Sequence, residues 1–276
     1  MPKLECIFSD LDGSLLRSDH TIHPDDIATI QTLRSKGVPV IIATGRHHEI
    51  ARPVYDIVGG SIGYPTITCN GSNLYDYETE SSVRCLLIPT HTVAELWEYI
   101  QNNKLIAYLY TDECCYYDPN DKRLDFRQGT ITICGDTPVV VHSMDEITDP
   151  TQYNVTKFVI SGATEDTQQG FRQAFPPQSG LEFCFSGPGI LDVNCVGGDK
   201  GDAVKWICNH YGLDPANVLC LGDNYNDYGM LKAAGWSVAP QNASDGIKEV
   251  CRFITSHHDN RPLTTAIREL FPQYID

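Results

Sequence analysis

Phe8-Ser9-Asp10-Leu11-Asp12-Gly13-Ser14 is the stretch on which the reading of this chain turns. Before it, Leu4-Glu5-Cys6-Ile7-Phe8 is a short, mostly apolar run of the kind a buried parallel strand needs. The run stops at two aspartates one residue apart, followed by Gly-Ser. Open α/β sheets bind their ligands outside the carboxyl ends of the strands, so these carboxylates stand where such a fold does its chemistry. Two of them so close repel each other, and burying either without a partner is costly. A cation relieves both problems, and Mg2+ prefers carboxylate and carbonyl oxygens. Taken alone, the stretch is also compatible with a solvated Asp-Gly turn, so the rest of the chain has to decide.

Outward from this turn the rhythm is that of a parallel sheet. Residues 24–36 carry Ile27, Ile30 and Leu33 at helical spacing, with Gly37 placed to end the helix. Residues 38–43 read as a second strand, stopping at Thr44-Gly45-Arg46 before a helical stretch over 47–58. Residues 65–69 read as a third strand, and Asn70-Gly71 predicts a tight turn into a hairpin over 73–77. Strand, helix, strand, helix, strand is βαβ alternation. From about Val83 to Pro188 the character changes to tyrosine-rich, short β runs (105–110, 154–160, 181–185) and two helices (92–102, 165–175), which reads as an inserted α+β module. The α/β rhythm is expected to resume at Leu191-Asp192-Val193-Asn194. A helix opening at Gly198-Asp199-Lys200-Gly201 then leads to a buried strand over 218–221, ended by Gly222-Asp223-Asn224-Tyr225-Asn226-Asp227. The expectation is therefore an α/β fold, with a Rossmann-like doubly wound core over residues 1–82 and 189–276 and a cap inserted over 83–188.

Composition narrows the partners. The chain has 276 residues, 41% hydrophobic and 20% charged, as in a globular protein. A formal net charge of −16 argues against nucleic acid and anionic membrane. Any anionic substrate needs local positive charge from a metal, Lys or Arg. No basic segment precedes a long apolar run at Met1-Pro2-Lys3-Leu4-Glu5, and no stretch is apolar enough to span a bilayer. The eleven cysteines are scattered and never spaced Cys-x-x-Cys, which fits buried thiols in a cytoplasmic protein. His47-His48 and His257-His258 are read as packing or surface histidines.

In a parallel sheet, strand ends of one polarity share one edge. Asp10, Asp12, Thr44, Lys200, Asp223 and Asp227 can meet there despite their distance in sequence. Singly, each piece has a plainer reading: Thr44-Gly45-Arg46 as a turn, Gly222–Asp227 as a capped helix start, Lys200 as a solvated charge. Jointly they form an inventory for a metal and a phosphate, with carboxylates for Mg2+ and with Lys, hydroxyl and loop amides for phosphate oxygens.

Asp10-Leu11-Asp12-Gly13-Ser14, Thr44-Gly45-Arg46, Gly198-Asp199-Lys200-Gly201 and Gly222–Asp227 resemble, in order, the four motifs of the haloacid dehalogenase superfamily. Within it the chain is similar to the Cof-type sugar-phosphate phosphatases, which place a large α/β cap between the second and third motifs. They also tend to carry Asn-Gly after the third strand, matched by Asn70-Gly71, and a later Asn-Ala, matched by Asn242-Ala243. Ser14 stands where Thr is commoner, and residues 256–262 lack the acidic-Gly pattern of that subfamily.

The resemblance implies a Mg2+-dependent phosphatase acting on small phosphate monoesters. Asp10 is the implied nucleophile and Asp12 the general acid and base. The metal set is Asp10, Asp12 (through its carbonyl), Asp223 and Asp227, the last in a supporting role. Thr44 and Lys200 would bind phosphate oxygens, and Gly45, Arg46, Asn70 and Asn226 are further substrate contacts. A phosphomutase would share Asp10 and Asp12. A dehalogenase or a phospho-aspartate signalling module has no use for the second carboxylate. Tyr108, Tyr110, Tyr116 and Tyr117 are read mainly as packing residues, with stacking on a sugar as the other option.

Overall fold

The computed structural model describes residues 3–122, 130–134 and 137–275. In chain order the first half contains β1 (Cys6–Ser9), α1 (Pro24–Ser35), β2 (Val40–Ile42), α2 (His48–Val58), β3 (Thr66–Thr68), β4 (Asn73–Asp76), β5 (Ser81–Cys85), α3 (Thr90–Asn102), β6 (Ile106–Thr111), β7 (Cys115–Tyr117), β8 (Thr130–Cys134) and β9 (Thr137–Val140). The second half contains β10 (His142–Ser143), β11 (Val155–Ser161), α4 (Glu165–Ala174), β12 (Leu181–Gly187), β13 (Ile190–Cys195), α5 (Lys200–Tyr211), β14 (Val218–Leu221), α6 (Tyr228–Ala233), β15 (Trp236–Ala239), α7 (Asp245–Lys248), β16 (Phe253–Ile254) and α8 (Pro262–Leu270).

Five strands form a parallel sheet in the order β16-β15-β14-β1-β2. A single parallel bridge from Ala43 to Ile67 carries it on to β3, which turns back through the antiparallel strands β4 and β5. Alternate side chains of the buried strands feed two cores. Ile7, Val40, Ile42, Leu219 and Leu221 pack on one face against α1, α2 and α8. Cys6, Phe8, Ile41 and Cys220 pack on the other against α5, α6 and α7. Helices on both faces of a parallel sheet are the doubly wound arrangement, and they explain why these strands read as continuous apolar runs.

A second, six-stranded sheet has the order β10-β7-β6-β11-β13-β12. One of its faces packs on α3 and α4 through Leu109, Phe158, Ile160, Leu191 and Val193. The other turns toward the parallel-sheet unit, where Tyr108, Tyr110, Tyr117 and Val159 cluster with Ile50 of α2 and with Cys69. All four tyrosines named from the sequence are buried, so they are packing residues.

One expectation is corrected. Leu191–Asn194 does not rejoin the parallel sheet: β13 pairs antiparallel with both β11 and β12. The local pattern explains why. Leu-Asp-Val-Asn alternates apolar and polar residues, which suits a strand with two different faces. Leu191 and Val193 enter the helix-covered core, while Asp192 and Asn194 point the other way. The chain therefore crosses back after Cys195, beside its outward crossing, where Arg84 Nη2 donates to Gly197 O at 3.4 Å.

Candidate active site

The carboxyl ends of β1, β2 and β14 and the start of α5 converge on one cleft. Asp10 follows β1 directly, and its N–H donates to Leu221 O at 2.9 Å, which ties the turn to β14. Lys200 is the first residue of α5, whose N-cap Asp199 accepts from Gly201 N and Asp202 N. This cap fixes the helix start, and with it the origin of the Lys200 side chain. Lys200 is fully buried, and its Nζ donates at 2.5 Å to both Asp10 Oδ1 and Asp227 Oδ1. The other oxygen of Asp227 accepts from Asp223 N (2.9 Å) and Asn224 N (3.1 Å). Asp227 therefore holds its loop and Lys200 together, with both oxygens already engaged. Ser14 Oγ donates to Asp223 Oδ1 at 3.0 Å, so the hydroxyl at this position orients a carboxylate.

Burial sets the charges. It pushes the Asp10 carboxyl well above its ordinary pKa; Asp227 adds to this and Lys200 opposes it. Burial and the Asp227 charge raise Asp223 to about 6. Burial alone would lower the Lys200 ammonium, but Asp10 and Asp227 outweigh it and hold Lys200 protonated. Asp10, Asp223 and Asp227 offer oxygens within 4.8 Å of one another. Hard oxygen donors, crowded and only partly neutralised by one lysine, fit Mg2+.

Asp12 is half exposed on the cleft floor. Arg46 grips it bidentately, with Nε at 2.8 Å from Oδ2 and Nη2 at 2.5 Å from Oδ1. Burial by the cleft walls would raise the Asp12 carboxyl, but the Arg46 charge and its bonds bring it below the ordinary range. Thr44 is buried and its Oγ1 accepts from Arg46 N at 3.1 Å. Asn70 sits in the left-handed region (φ 60°), its N–H donating to Thr44 O at 3.0 Å and its Oδ1 accepting from Asn226 Nδ2 at 3.2 Å. The named site residues thus share one cleft.

Sequence reasoning passed over three side chains of the second sheet that reach these loops. Lys157 Nζ donates to Gly45 O at 3.1 Å. Asp192 Oδ2 accepts from Asn70 Nδ2 at 2.6 Å. Asn194 Nδ2 donates to Cys69 O and Ser72 Oγ at 3.0 and 2.9 Å. The polar half of the β13 alternation was the available signal. The late loop over 256–262 also gains a place: His258 contacts Leu16 O through Nδ1 at 2.7 Å, and Asp259 accepts from Ser18 N–H and Oγ, so the loop braces the chain just after the acidic turn. His47 is buried, with Nδ1 accepting from Glu49 N and Nε2 at 3.2 Å from Thr111 O, as befits a packing histidine. Cys6, Cys69, Cys85, Cys114, Cys115, Cys184, Cys195, Cys208, Cys220 and Cys251 are free thiols.

Residues 7–267 match the family model of the haloacid dehalogenase-like hydrolases. The chain belongs to this family. It is 30% identical over 243 residues to the pyridoxal phosphate phosphatase YbhA of Escherichia coli, covering 87% of this chain and 88% of that one. It is 27% identical over 267 residues to the 5-amino-6-(5-phospho-D-ribitylamino)uracil phosphatase YcsE of Bacillus subtilis, covering 96% of this chain and 95% of that one. In fold it is similar to a haloacid dehalogenase subclass IIB sugar phosphatase, with a TM-score of 0.80 at 21% identity over 96% of this chain and 98% of the other. The family resemblance read from the four motifs is borne out, as is the α/β fold. Among the described residues, no helix is long and apolar enough to cross a membrane.

Proposed function

We propose that this haloacid dehalogenase-like hydrolase is a Mg2+-dependent phosphatase of small phosphate monoesters, working through an aspartyl-phosphate on Asp10. The observation that carries the reading is Lys200 bridging Asp10 and Asp227 at 2.5 Å in a fully buried position. A buried cation held on a carboxylate at a strand end suits an ionised nucleophile facing a dianion.

In this reading Asp10 Oδ attacks phosphorus, the bond to the ester oxygen breaks, and the leaving alkoxide takes a proton from Asp12. Asp12, now ionised, removes a proton from the water that attacks phosphorus and releases Asp10. The Arg46 pairing favours the ionised Asp12 of the second half-reaction, so arrival of the substrate has to loosen that pair for the first. Thr44, the loop amides and Lys200 hold the phosphoryl oxygens. The Asp10 and Asp223 carboxylates and the Asp12 carbonyl would hold Mg2+, which neutralises charge on the transferring group when bound. Asp227 supports Lys200 from behind.

The two sheets correspond to a catalytic core and a cap, with the crossings near residues 85 and 195. The cap covers the cleft and sets the choice of ester. The scattered, unpaired cysteines suit a reducing compartment, the cytoplasm. The relatives named above direct the first substrate panel toward pyridoxal phosphate, ribitylamino-pyrimidine phosphates and sugar phosphates. Phosphate release from this panel, with and without Mg2+, is the test. Turnover that needs Mg2+ and falls at least about 10³-fold in Asp10→Asn is expected. Turnover indifferent to Asp10, or none on any ester, sinks the proposal.

A further inference from the structure

We infer that Lys157 and Asp192 form a latch by which the second sheet, when closed over the cleft, holds the Thr44–Gly45 and Asn70 loops in working geometry; the inference rests on the phosphatase reading of that cleft. The two residues are on neighbouring strands, β11 and β13, with Lys157 Nζ at 2.8 Å from Asp192 Oδ1 and side chains only 3% and 1% exposed. A buried ion pair is a weak source of stability, since apolar residues of similar volume commonly do as well or better. The opposite face of the same strands does use apolar residues, Phe158 and Val193. The charge pair therefore needs another explanation.

Its outward bonds supply one. The remaining reach of each member goes across to the parallel-sheet unit. Lys157, over the Tyr110 ring at 5.5 Å, donates to Gly45 O at 3.1 Å. Asp192 Oδ2 accepts from Asn70 Nδ2 at 2.6 Å. Asn70 passes the contact on to Thr44 O through its N–H and to Asn226 through its Oδ1. One pair thus reads three strand-end loops at once, those after β2, β3 and β14. Space at this junction is tight: a Cβ on Gly45 would stand 2.8 Å from Asn70 Oδ1 and 3.5 Å from Lys157 Nζ. Lifting the second sheet must break both cross-contacts together and leave Gly45 O, Asn70 Nδ2 and a charge pair to water. Closure and loop order are then one event, the form in which a cap couples its position to catalysis. Lys157 and Asp192 are positioning residues in this scheme, acting through Gly45 and Asn70.

The test separates positioning from stability. K157M and D192L each strand one buried charge and should lower the thermal midpoint, whereas K157M/D192L removes both charges and should recover most of it. If the latch positions the loops, the double variant stays about 10- to 100-fold below wild type in kcat/KM, mainly through kcat, despite its recovered midpoint. Its backbone amides over 44–47 and 69–72 also exchange with solvent faster than in wild type, while those of β14 do not. Should K157M/D192L not fold, K157M/D192A carries the same test, because D192A likewise removes the charge and leaves no acceptor for Asn70. Unchanged exchange at 44–47 and 69–72, or a double variant with kcat/KM within twofold of wild type, overturns the latch. Wild-type protein without turnover on any ester defeats the phosphatase reading instead, and the exchange comparison still decides the latch.

Discussion

Arg46 and Ser14 show how a single side chain tunes an aspartate at a strand end, Asp12 after β1 and Asp223 after β14. Arg46 holds the Asp12 carboxyl below its ordinary range, so R46M should let it rise. In the proposed mechanism ester cleavage needs protonated Asp12, so a higher pKa should move the alkaline decline of kcat/KM to higher pH; an unmoved profile would detach the proton on Asp12 from Arg46. Ser14 supports Asp223 through one hydrogen bond at 3.0 Å. Partners behind a metal ligand typically matter 10- to 100-fold, so if Asp223 holds Mg2+ as proposed, S14A should raise the Mg2+ concentration for half-maximal activity by about that factor, and S14T should restore it. The acids and the Ser14 hydroxyl were legible in sequence, because such groups beside Gly at a strand end have few uses; the pairing of Arg46, expected as a substrate contact, with Asp12 was not. Lys157 and Asp192 were illegible for the opposite reason. A lone Lys or Asp inside a β run carries no local signature, and only the packing of two sheets brings it to the cleft.

At the level of elements, α5 has to present Lys200 within 2.5 Å of two carboxylates, and its approach to α6 decides whether it can. A Cβ on Gly201 would lie 2.4 Å from the Gly229 carbonyl carbon, a backbone atom with little freedom to give way. G201A should therefore cost about 1–3 kcal/mol in stability by forcing the helices apart. It should lower kcat more than KM, since Lys200 leaves with the helix; equal kcat in a destabilised G201A would show that the lysine adapts. The helices α1, α3, α4 and α5 were readable from their periodicity and caps to within a residue or two at most ends. The placement of β13 was not. Four residues, Leu-Asp-Val-Asn, fit either sheet until their alternation is weighed, and the return of an α/β rhythm after the cap made the parallel sheet the nearer expectation.

For the whole molecule, the acidic cleft is a liability that the proposed Mg2+ would offset. Asp223 is raised to about 6 by burial and by Asp227, against about 3.9 for a free aspartate. A carboxyl raised on folding favours the fold below its unfolded value and loses that contribution as pH rises through its folded value. Above pH 6 the cation-free protein therefore carries the repulsion in full. Mg2+ at 100 times its Kd adds about 2.7 kcal/mol, or roughly 5–10 °C in Tm for a chain of this size. The shift should be larger at pH 8 than at pH 5, and D223N should shrink it at pH 8; a shift equal at both values would place the ion elsewhere. The doubly wound core and the presence of an inserted module were legible because continuous apolar strands and a mid-chain change in composition are global signals. How the module sits on the core was not, because it depends on contacts made between residues such as Asn70 and Asp192, 122 positions apart.

The strand order of the parallel sheet also dictates a schedule. β1 lies between β2, its early neighbour, and β14, whose residues pair with it from more than two hundred positions later. Lys200 likewise reaches Asp10 across 190 positions. At about 5–20 residues per second on the ribosome, the first strand waits many seconds with one hydrogen-bonding edge uncovered. The second sheet, drawn from one contiguous stretch, can form before the sheet that encloses it. A chain ending at residue 196 and released from the ribosome should then protect β6, β11 and β13 from proteolysis while β1 and β2 are still cut. Asp10, the proposed nucleophile, cannot meet Lys200 until more than two thirds of the protein has been made, so in that reading no phosphate ester is at risk from a half-built enzyme.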